Sequence, residues 1–168
     1  LLLKMKPIKK IYILIGLPGC GKTTWANNFY LNNPETLIIS PDDLRTSFNG
    51  GQYIFNINKE PFLINCSLNI LKMGLRLYNN IILDEATLIL TKNKRKKLIK
   101  NIRRSNTKII GVIFPFSEYN KKLRMKNSRG HSPELWAQTF DKMSKIFETV
   151  DPKEDFDEII QLSSFEER

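Results

Sequence analysis

The sequence predicts a three-layer α/β/α fold built on a parallel sheet of five strands. Short runs rich in Ile and Leu, without strict polar alternation, are typical of strands buried on both faces. Longer amphipathic segments separate these runs, and this alternation of strand and helix favours a parallel sheet with helices on both sides. The predicted strands are Lys10–Ile15, Thr36–Ser40, Asn80–Asp84, Lys108–Phe114 and Phe156–Gln161.

Start signals and apolar faces predict the helices between the strands. A helix over Thr23–Leu31 follows a glycine-rich turn. Pro61 begins a segment so rich in apolar residues, as far as Tyr78, that the sequence predicts a buried helix. Ser132 is predicted to cap a further helix. One face of that helix carries Trp136, Phe140, Met143 and Phe147.

Length and composition bound the class of protein. The 168 residues, 41% apolar and 26% charged, are typical of one folded domain. We expect an N-terminal tail or remnant (1–9), one domain (10–162) with a small helical lid at about 117–133, and a C-terminal tail (163–168). The apolar runs are too short for a membrane helix, so no membrane partner is expected. Two cysteines and one histidine exclude a disulfide framework and a zinc site, and favour a reducing, cytoplasmic setting.

The net charge of +10 is unevenly distributed. Residues 92–129 hold 14 Lys or Arg and one acid, whereas residues 130–168 hold ten acids and four bases. The basic stretch includes a predicted helix from Lys92 to about Arg104. A charge run of this kind is typical of a solvated helix face. An excess of positive charge also favours a polyanionic partner.

Residues 16–23, the phosphate loop, read Gly-Leu-Pro-Gly-Cys-Gly-Lys-Thr and match the pattern G-x-x-x-x-G-K-[ST] between a predicted strand and a predicted helix. Glycines that allow positive φ let backbone N–H groups surround phosphate oxygens; they are Gly16, Gly19 and Gly21. Lys22 can reach the β- and γ-phosphates, and the Thr23 hydroxyl can bind Mg²⁺. The alternative is a strand–helix turn without a ligand. Cys20 is interpreted as a small filler rather than a redox group.

Carboxylates follow the second and third predicted strands. Asp84 is expected at the carboxyl edge of the sheet, near Mg²⁺ and the transferred phosphate. Glu85 beside it keeps an ATPase open as an alternative. Asp42 and Arg45 share one face of a first helical turn, where the carboxylate can accept a hydroxyl proton and the guanidinium can hold an acceptor phosphate. The alternative for this pair is an Asp N-cap with a local ion pair.

A cationic segment follows the fourth strand, and Ser117 could cap its helix. Cations placed over the phosphates would neutralise charge that develops on the transferred group. A solvated helix is the alternative, and it suits the lysines better than the arginines. The segment contains Lys121, Lys122, Arg124, Lys126 and Arg129.

Together these features resemble the single-domain P-loop kinases, a group that includes the kinase module of phage polynucleotide 5′-hydroxyl kinase. The resemblance runs from about Lys10 to Leu162. It is carried by the phosphate loop with Thr24-Trp25-Ala26, by Asp42-Asp43-Leu44-Arg45, by Asn127-Ser128-Arg129-Gly130, and by the stretch from Pro152 to Glu158. Where the family reads Asp-x-Thr-Asn, this chain reads Asp84-Glu85-Ala86-Thr87-Leu88.

The resemblance implies transfer of the γ-phosphoryl group of ATP, with Mg²⁺, to the 5′-hydroxyl end of DNA or RNA. It makes Asp42 the general base, Arg45 the clamp on the acceptor phosphate and Arg129 the lid arginine. The residues implied for ATP are Gly16, Pro18, Gly19, Cys20, Gly21, Lys22, Thr23, Thr24, Arg124 and Arg129; those implied for the acceptor are Asp42, Arg45, Asp84 and Thr87. Two alternatives stay open: a kinase for a nucleoside, sugar or antibiotic, and a nucleotide-dependent ATPase or binding module built on Glu85.

Overall fold

Five parallel strands form one sheet with the order β2-β3-β1-β4-β5. The computed structural model describes residues 7–126 and 132–163. The strands are β1 (Lys9–Ile15), β2 (Thr36–Ile39), β3 (Asn80–Leu83), β4 (Thr107–Ile113) and β5 (Glu158–Gln161). The predicted α/β fold and its five strands are thereby confirmed.

Six helices in the described part of the chain connect or flank these strands, and a 3₁₀ turn at Ile57–Lys59 precedes the third of them. They are α1 (Lys22–Asn32), α2 (Pro41–Phe48), α3 (Glu60–Gly74), α4 (Lys92–Ile102), α5 (Glu118–Lys126) and α6 (Pro133–Ile146). Among the described helices, none is long and apolar enough to cross a membrane. Helix α5 lies within the predicted lid, whereas residues 127–131 of that lid lie outside the described residues.

The central strand β1 is buried on both faces, as its unbroken apolar run predicts. Alternate side chains enter different apolar layers, because successive residues of a strand point to opposite faces. Ile11, Ile13 and Ile15 pack in the layer that contains side chains of α3 and α4. Tyr12 and Leu14 pack in the layer that contains Ala26, Trp25 and Phe29 of α1.

Serine and threonine side chains cap α2, α4 and α6. Ser40 Oγ accepts from Asp43 N in α2, Thr91 Oγ1 accepts from Lys94 N in α4, and Ser132 Oγ accepts from Leu135 N in α6, at 3.2–3.3 Å. Each such cap stabilises its helix by about 1 kcal/mol. The Ser132 cap confirms the prediction. In α2 the capping residue is Ser40, so the Asp N-cap that the sequence left open as an alternative is not formed.

Helix α3 is buried on one face only, so the prediction of a buried helix holds for that face alone. Leu63, Ser67, Leu71 and Gly74 face the protein interior at helical spacing. On other faces Phe62 and Met73 are exposed, and Leu77, past the end of the helix, is 82% exposed. Apolar content alone therefore overestimated the burial of this segment.

The acidic C-terminal stretch neutralises part of the basic stretch. Arg95 of α4 has no exposed surface, and its Nε and Nη2 donate to the two carboxylate oxygens of Glu154 at 2.7 Å. Its guanidinium also donates to the carbonyls of Ile89 and Glu148 at 2.8 and 2.9 Å. For Arg95 the expectation of a solvated face is therefore wrong. Further pairs join Lys92 to Asp151, Arg103 to Asp157 and Lys108 to Glu158.

Replacing Arg95 by Met should destabilise the fold, because it leaves Glu154 without its partner and several carbonyls without their donors. We expect the free energy of unfolding to fall by about 3–5 kcal/mol. The control is Arg104→Met, since the Arg104 guanidinium is exposed and bonds to nearby carbonyls; its effect should stay within about 0.5 kcal/mol. Urea denaturation followed by circular dichroism measures the free energy of unfolding of both variants. Equal losses of stability in the two variants would contradict the structural role of Arg95.

The same pair gives a pH dependence of known sign. Burial raises the pKa of Glu154, but hydrogen bonds from Arg95 and from the Asp151 N–H outweigh it, and the net pKa is lowered. The pair therefore contributes its full stability above about pH 4.3, the pKa of an unfolded glutamate, and loses it as pH falls through the lower folded pKa. The difference in stability between wild type and Arg95→Met should shrink accordingly on acidification.

Candidate active site

The carboxyl ends of three adjacent strands bring the phosphate loop, Asp84 and the start of α2 to one edge of the sheet. Strand β3 lies between β1 and β2, and all three run parallel. The phosphate loop follows β1, Asp84 follows β3, and Ser40 with α2 follows β2. Asp84 N donates to Ile39 O at 2.9 Å, which ties the ends of β3 and β2 together. In open α/β sheets, ligands bind in the crevice outside the carboxyl ends of the strands.

The phosphate loop has the backbone that its glycines allow. Gly19 and Gly21 have φ of 83° and 93°, and Gly21 is the N-cap of α1. The loop thus leads directly into a helix N-terminus, where N–H groups and the helix dipole favour an anion. Pro18 lies in the loop, and Thr24 is an exposed residue in the first turn of α1.

Gly16 is required for close packing and not for a positive φ, so that part of the prediction is wrong. A Cβ atom at this position would lie 2.5 Å from Cys20 Sγ and 2.9 Å from Phe114 Cβ. Cys20 itself is buried, and burial raises the pKa of its thiol. A buried, protonated thiol is a poor nucleophile, which agrees with the interpretation of Cys20 as a small filler.

Lys22 is buried inside the loop. Its Nζ donates to Gly16 O at 2.9 Å and to Leu17 O at 3.1 Å. These bonds hold the ammonium at the centre of the turn formed by residues 16–23. The Lys22 ammonium would therefore lie close to the phosphates of a nucleotide bound on the loop.

Thr23 and Asp84 meet at the edge of the sheet. Thr23 Oγ1 donates to Asp84 Oδ2 at 2.7 Å across 61 residues of sequence. Burial raises the pKa of Asp84, while Lys22 and the Thr23 hydrogen bond act in the opposite direction. A hydroxyl beside a carboxylate is a donor set that suits Mg²⁺, which binds few protein oxygens together with substrate phosphates. Among the described residues no group of three or more His, Cys, Asp or Glu could by itself hold a metal ion.

Asp42, which is half exposed, and Arg45, which is buried, belong to one polar network. Arg45 is 6% exposed; its Nε donates to Glu60 Oε1 at 2.9 Å, and its Nη2 donates to Glu60 Oε2 at 2.5 Å. Its Nη1 pairs with Asp42 Oδ1, so the local ion pair considered as an alternative is present. Tyr53 also donates to Asp42 Oδ1, at 3.2 Å. The result is a carboxylate held by two donors beside the ends of β2 and β3.

Sequence reasoning missed two members of this network, Glu60 and Tyr53. They lie 15 and 8 residues beyond Arg45 and outside α2, so no local pattern in the sequence links them to it. Burial and the charge of Asp42 raise the pKa of Tyr53 to about 12. Tyr53 therefore stays protonated near neutral pH and acts as a donor to Asp42.

The segment after Asp84 is organised by Glu85. Glu85 is 2% exposed, and its carboxylate accepts from Thr87 N at 2.8 Å, from Thr87 Oγ1 at 2.5 Å and from Leu88 N. A carboxylate engaged by three donors of its own loop is built to fix that loop and not to polarise water. This geometry disfavours the ATPase alternative. Thr87, expected to bind the acceptor, directs its hydroxyl to Glu85.

The cationic segment is described in part. Arg124 lies in α5, and Arg129 lies outside the described residues. Lys121 of the same helix places its ammonium 4.5 Å from the centre of the Phe140 ring in α6. Lys121 thus helps to hold α5 against α6, while the roles of Arg124 and Arg129 stay predictions.

Comparison with solved structures supports the same fold. A fungal RNA kinase superposes with a TM-score of 0.67 at 19% identity, over 94% of this chain and 39% of that chain. The structure of the Pnkp1/Rnl/Hen1 RNA repair complex superposes with a TM-score of 0.63 at 18% identity. The match covers 87% of this chain and 48% of that chain. Chaetomium thermophilum Kti12 in complex with ADP-AlF3 superposes with a TM-score of 0.66 at 17% identity. The match covers 94% of this chain and 90% of that chain. The chain spans less than half the length of the two RNA-processing proteins.

A family model described as an AAA domain matches residues 11–150. The matched range includes the phosphate loop, the Thr23–Asp84 pair and the network around Arg45. The five-stranded parallel sheet and its flanking helices are those of the P-loop kinases. The chain therefore belongs to the AAA domain family and is a nucleotide-binding domain with the α/β fold of P-loop kinases.

Proposed function

We propose that this domain transfers the γ-phosphoryl group of ATP to the 5′-hydroxyl end of DNA or RNA. The observation that carries the proposal is the order of groups along the sheet edge. Lys22 and the Thr23–Asp84 pair follow β1 and β3, and the network of Asp42 follows the adjacent strand β2. A phosphate-binding half and a half able to accept a proton thus stand side by side.

The donor half would bind the triphosphate. Backbone N–H groups of the phosphate loop and the first turn of α1 suit the anionic oxygens. Lys22 would neutralise charge on the β- and γ-phosphates. Thr23 and Asp84 would hold Mg²⁺, which supplies further neutralisation of the phosphates when bound.

The acceptor half would activate the hydroxyl. Asp42 accepts the proton as the 5′-oxygen forms its bond to the γ-phosphorus, and the bond from that phosphorus to the β,γ-bridging oxygen breaks to release ADP. Two nitrogens of Arg45 are engaged by Glu60, and its Nη1 donates to Asp42 Oδ1 and, at 3.5 Å, to the Tyr53 hydroxyl. Arg45 therefore positions the base in addition to its proposed role as a clamp.

Three observations support a polynucleotide over a small acceptor. The chain carries a net charge of +10, which suits a polyanion. Exposed lysines remain on α4 after the ion pairs with the C-terminal stretch, among them Lys96, Lys97 and Lys100. A fungal RNA kinase and an RNA repair complex share the fold, which adds support by analogy.

The proposal is tested by incubation of the protein with γ-labelled ATP and Mg²⁺ against three kinds of acceptor. These are a 5′-hydroxyl oligonucleotide, the same oligonucleotide with a 5′-phosphate, and a panel of nucleosides. We expect label on the first alone. Label on nucleosides with none on the oligonucleotide would assign a small-molecule kinase, and ATP hydrolysis independent of acceptor would assign an ATPase.

Asp42→Asn should abolish most of the transfer while ATP binding persists, because the lost base acts on the acceptor and not on the nucleotide. Loss of a general base typically costs about 10²–10⁴-fold in rate. The matched control is Asp43→Asn, which changes an adjacent, exposed carboxylate of the same helix. Turnover with the oligonucleotide and the dissociation constant for ATP are measured in both variants; a larger loss of transfer in Asp43→Asn would reverse the two roles.

Glu60→Gln should lower acceptor use through Arg45. The amide keeps the shape of the carboxylate but loses its charge and turns an NH₂ group towards the guanidinium, which releases Arg45 from its present position. We expect kcat/KM for the oligonucleotide to fall at least about tenfold with ATP affinity unchanged, since this is the scale of one strong hydrogen bond to a charged group.

A double-mutant cycle distinguishes this role from general destabilisation. If Glu60 acts by way of Asp42, Glu60→Gln should cost little further activity in the Asp42→Asn background. Glu35→Gln, a change at an exposed glutamate, is the control for loss of one negative charge. Full additivity of the two losses would count against the positioning role.

A further inference from the structure

Exposed aromatic and aliphatic side chains cluster in the segment 48–62, the aromatic segment, which connects α2 to α3. The Phe48 and Phe62 rings lie 5.9 Å apart, and each is more than half exposed. Between them, Ile54 is 46% exposed and Phe55 is 53% exposed. Single exposed apolar residues are ordinary on a protein surface, whereas a contiguous group marks an interaction surface.

The aromatic segment is attached to the acceptor half of the site. Tyr53 donates to Asp42 Oδ1 at 3.2 Å. The Arg45 guanidinium carbon lies 5.8 Å from the centre of the Tyr53 ring and 5.6 Å from the centre of the Phe55 ring. This cation–π distance fixes the position of Phe55 while more than half of its surface stays open to solvent.

The chemistry of this surface suits one end of a nucleic acid strand. Every nucleobase has a flat π-face that stacks on an aromatic side chain, and such stacking needs no matched hydrogen bonds. The connection 49–59 carries one charged residue, Lys59, so this connection contributes a cation and no acid of its own. The net charge of +10 adds long-range attraction for the same ligand.

Resting on the proposed function, we propose that Phe55 stacks on the nucleobase of the 5′-terminal nucleotide of the acceptor. The base is attached to the sugar that carries the reacting hydroxyl, and Phe55 is joined through Arg45 to the carboxylate that would take its proton. Stacking at this point orients the hydroxyl towards Asp42. An aromatic face stacks on any of the four bases. The site therefore requires a base at the 5′ end but does not distinguish one base from another.

The experiment compares two 5′-hydroxyl oligonucleotides that differ in one group: one carries a 5′-terminal base and the other a 5′-terminal abasic sugar. For the wild type, loss of the base should lower kcat/KM at least about tenfold, which is within the range measured for one stacked base. Phe55→Ala should lower kcat/KM for the first oligonucleotide to the level of the second and leave the second unchanged. Phe55→Trp, which keeps a stacking face, should retain the wild-type preference.

Binding without turnover gives a second measurement. An oligonucleotide with 5′-terminal 2-aminopurine should lose fluorescence on the wild type and on Phe55→Trp, because stacking quenches the base, and should not do so on Phe55→Ala. The matched control is Tyr30→Ala, which removes an exposed aromatic ring from α1. It should behave as the wild type in both measurements.

Each contrary outcome has a distinct meaning. The stacking role is overturned if Phe55→Ala lowers kcat/KM equally for both oligonucleotides. It is also overturned if the wild type shows no preference for the oligonucleotide with the terminal base. Both outcomes leave the kinase assignment intact. A dimer in sedimentation that Phe55→Ala dissolves, with base preference unchanged, overturns it in favour of a contact between copies of the chain. A wild type that labels no oligonucleotide overturns the proposed function and this inference together.

Discussion

The hydrogen bond between Thr23 and Asp84 is the contact on which the rest of the site depends. It joins the first turn of α1 to the end of β3, and it exists because β1 and β3 are parallel neighbours in register, with Ile13 opposite Leu83. A shift of that register by one residue would turn the alternating side chains of either strand to the wrong face. The buried isoleucines that fix the sheet therefore also fix the distance between the phosphate loop and its carboxylate.

Two buried arginines show how charge is used differently in scaffold and site. Arg95 and Glu154 form a fully engaged pair that ties α4 to the C-terminal stretch. Arg45 and Glu60 form a similar pair, but Arg45 extends one further nitrogen to Asp42, which is half exposed at the sheet edge. In both, the cost of burying charge is offset by close hydrogen bonding. Only the second pair ends on a group that a ligand can reach.

Local patterns in the sequence were sufficient to predict the sheet and to place the phosphate loop and Asp84 at the same edge of it. Each of these features is defined by residues that are neighbours in the sequence, so it can be identified without knowledge of the fold. They are the five apolar runs, the phosphate loop and Asp84. Local patterns did not predict burial where a side chain is buried by partners distant in sequence. Arg95 and Glu154 are 59 residues apart, and Arg95 could not be told from the solvated lysines around it.

Two local members of the proposed acceptor half, Asp42 and Arg45, could be predicted from the sequence, but the residues that support them could not. Asp42 and Arg45 share a helical turn, so their spacing is visible in the sequence. Glu60 and Tyr53 reach Arg45 through a connection without periodicity, and their burial and hydrogen bonds follow from the packing of α2 against α3. The same connection exposes Phe55, which composition alone does not distinguish from a core residue.

The most direct test of this arrangement is the effect of Mg²⁺ on ATP affinity, measured by calorimetry in wild type and in Asp84→Asn. Asp43→Asn serves as the control for loss of a neighbouring carboxylate. If Thr23 and Asp84 form the metal side of a nucleotide site, Mg²⁺ should strengthen ATP binding to the wild type and to the control, and Asp84→Asn should lose that gain while it binds metal-free ATP as before. An undiminished gain with Mg²⁺ in Asp84→Asn would contradict the account.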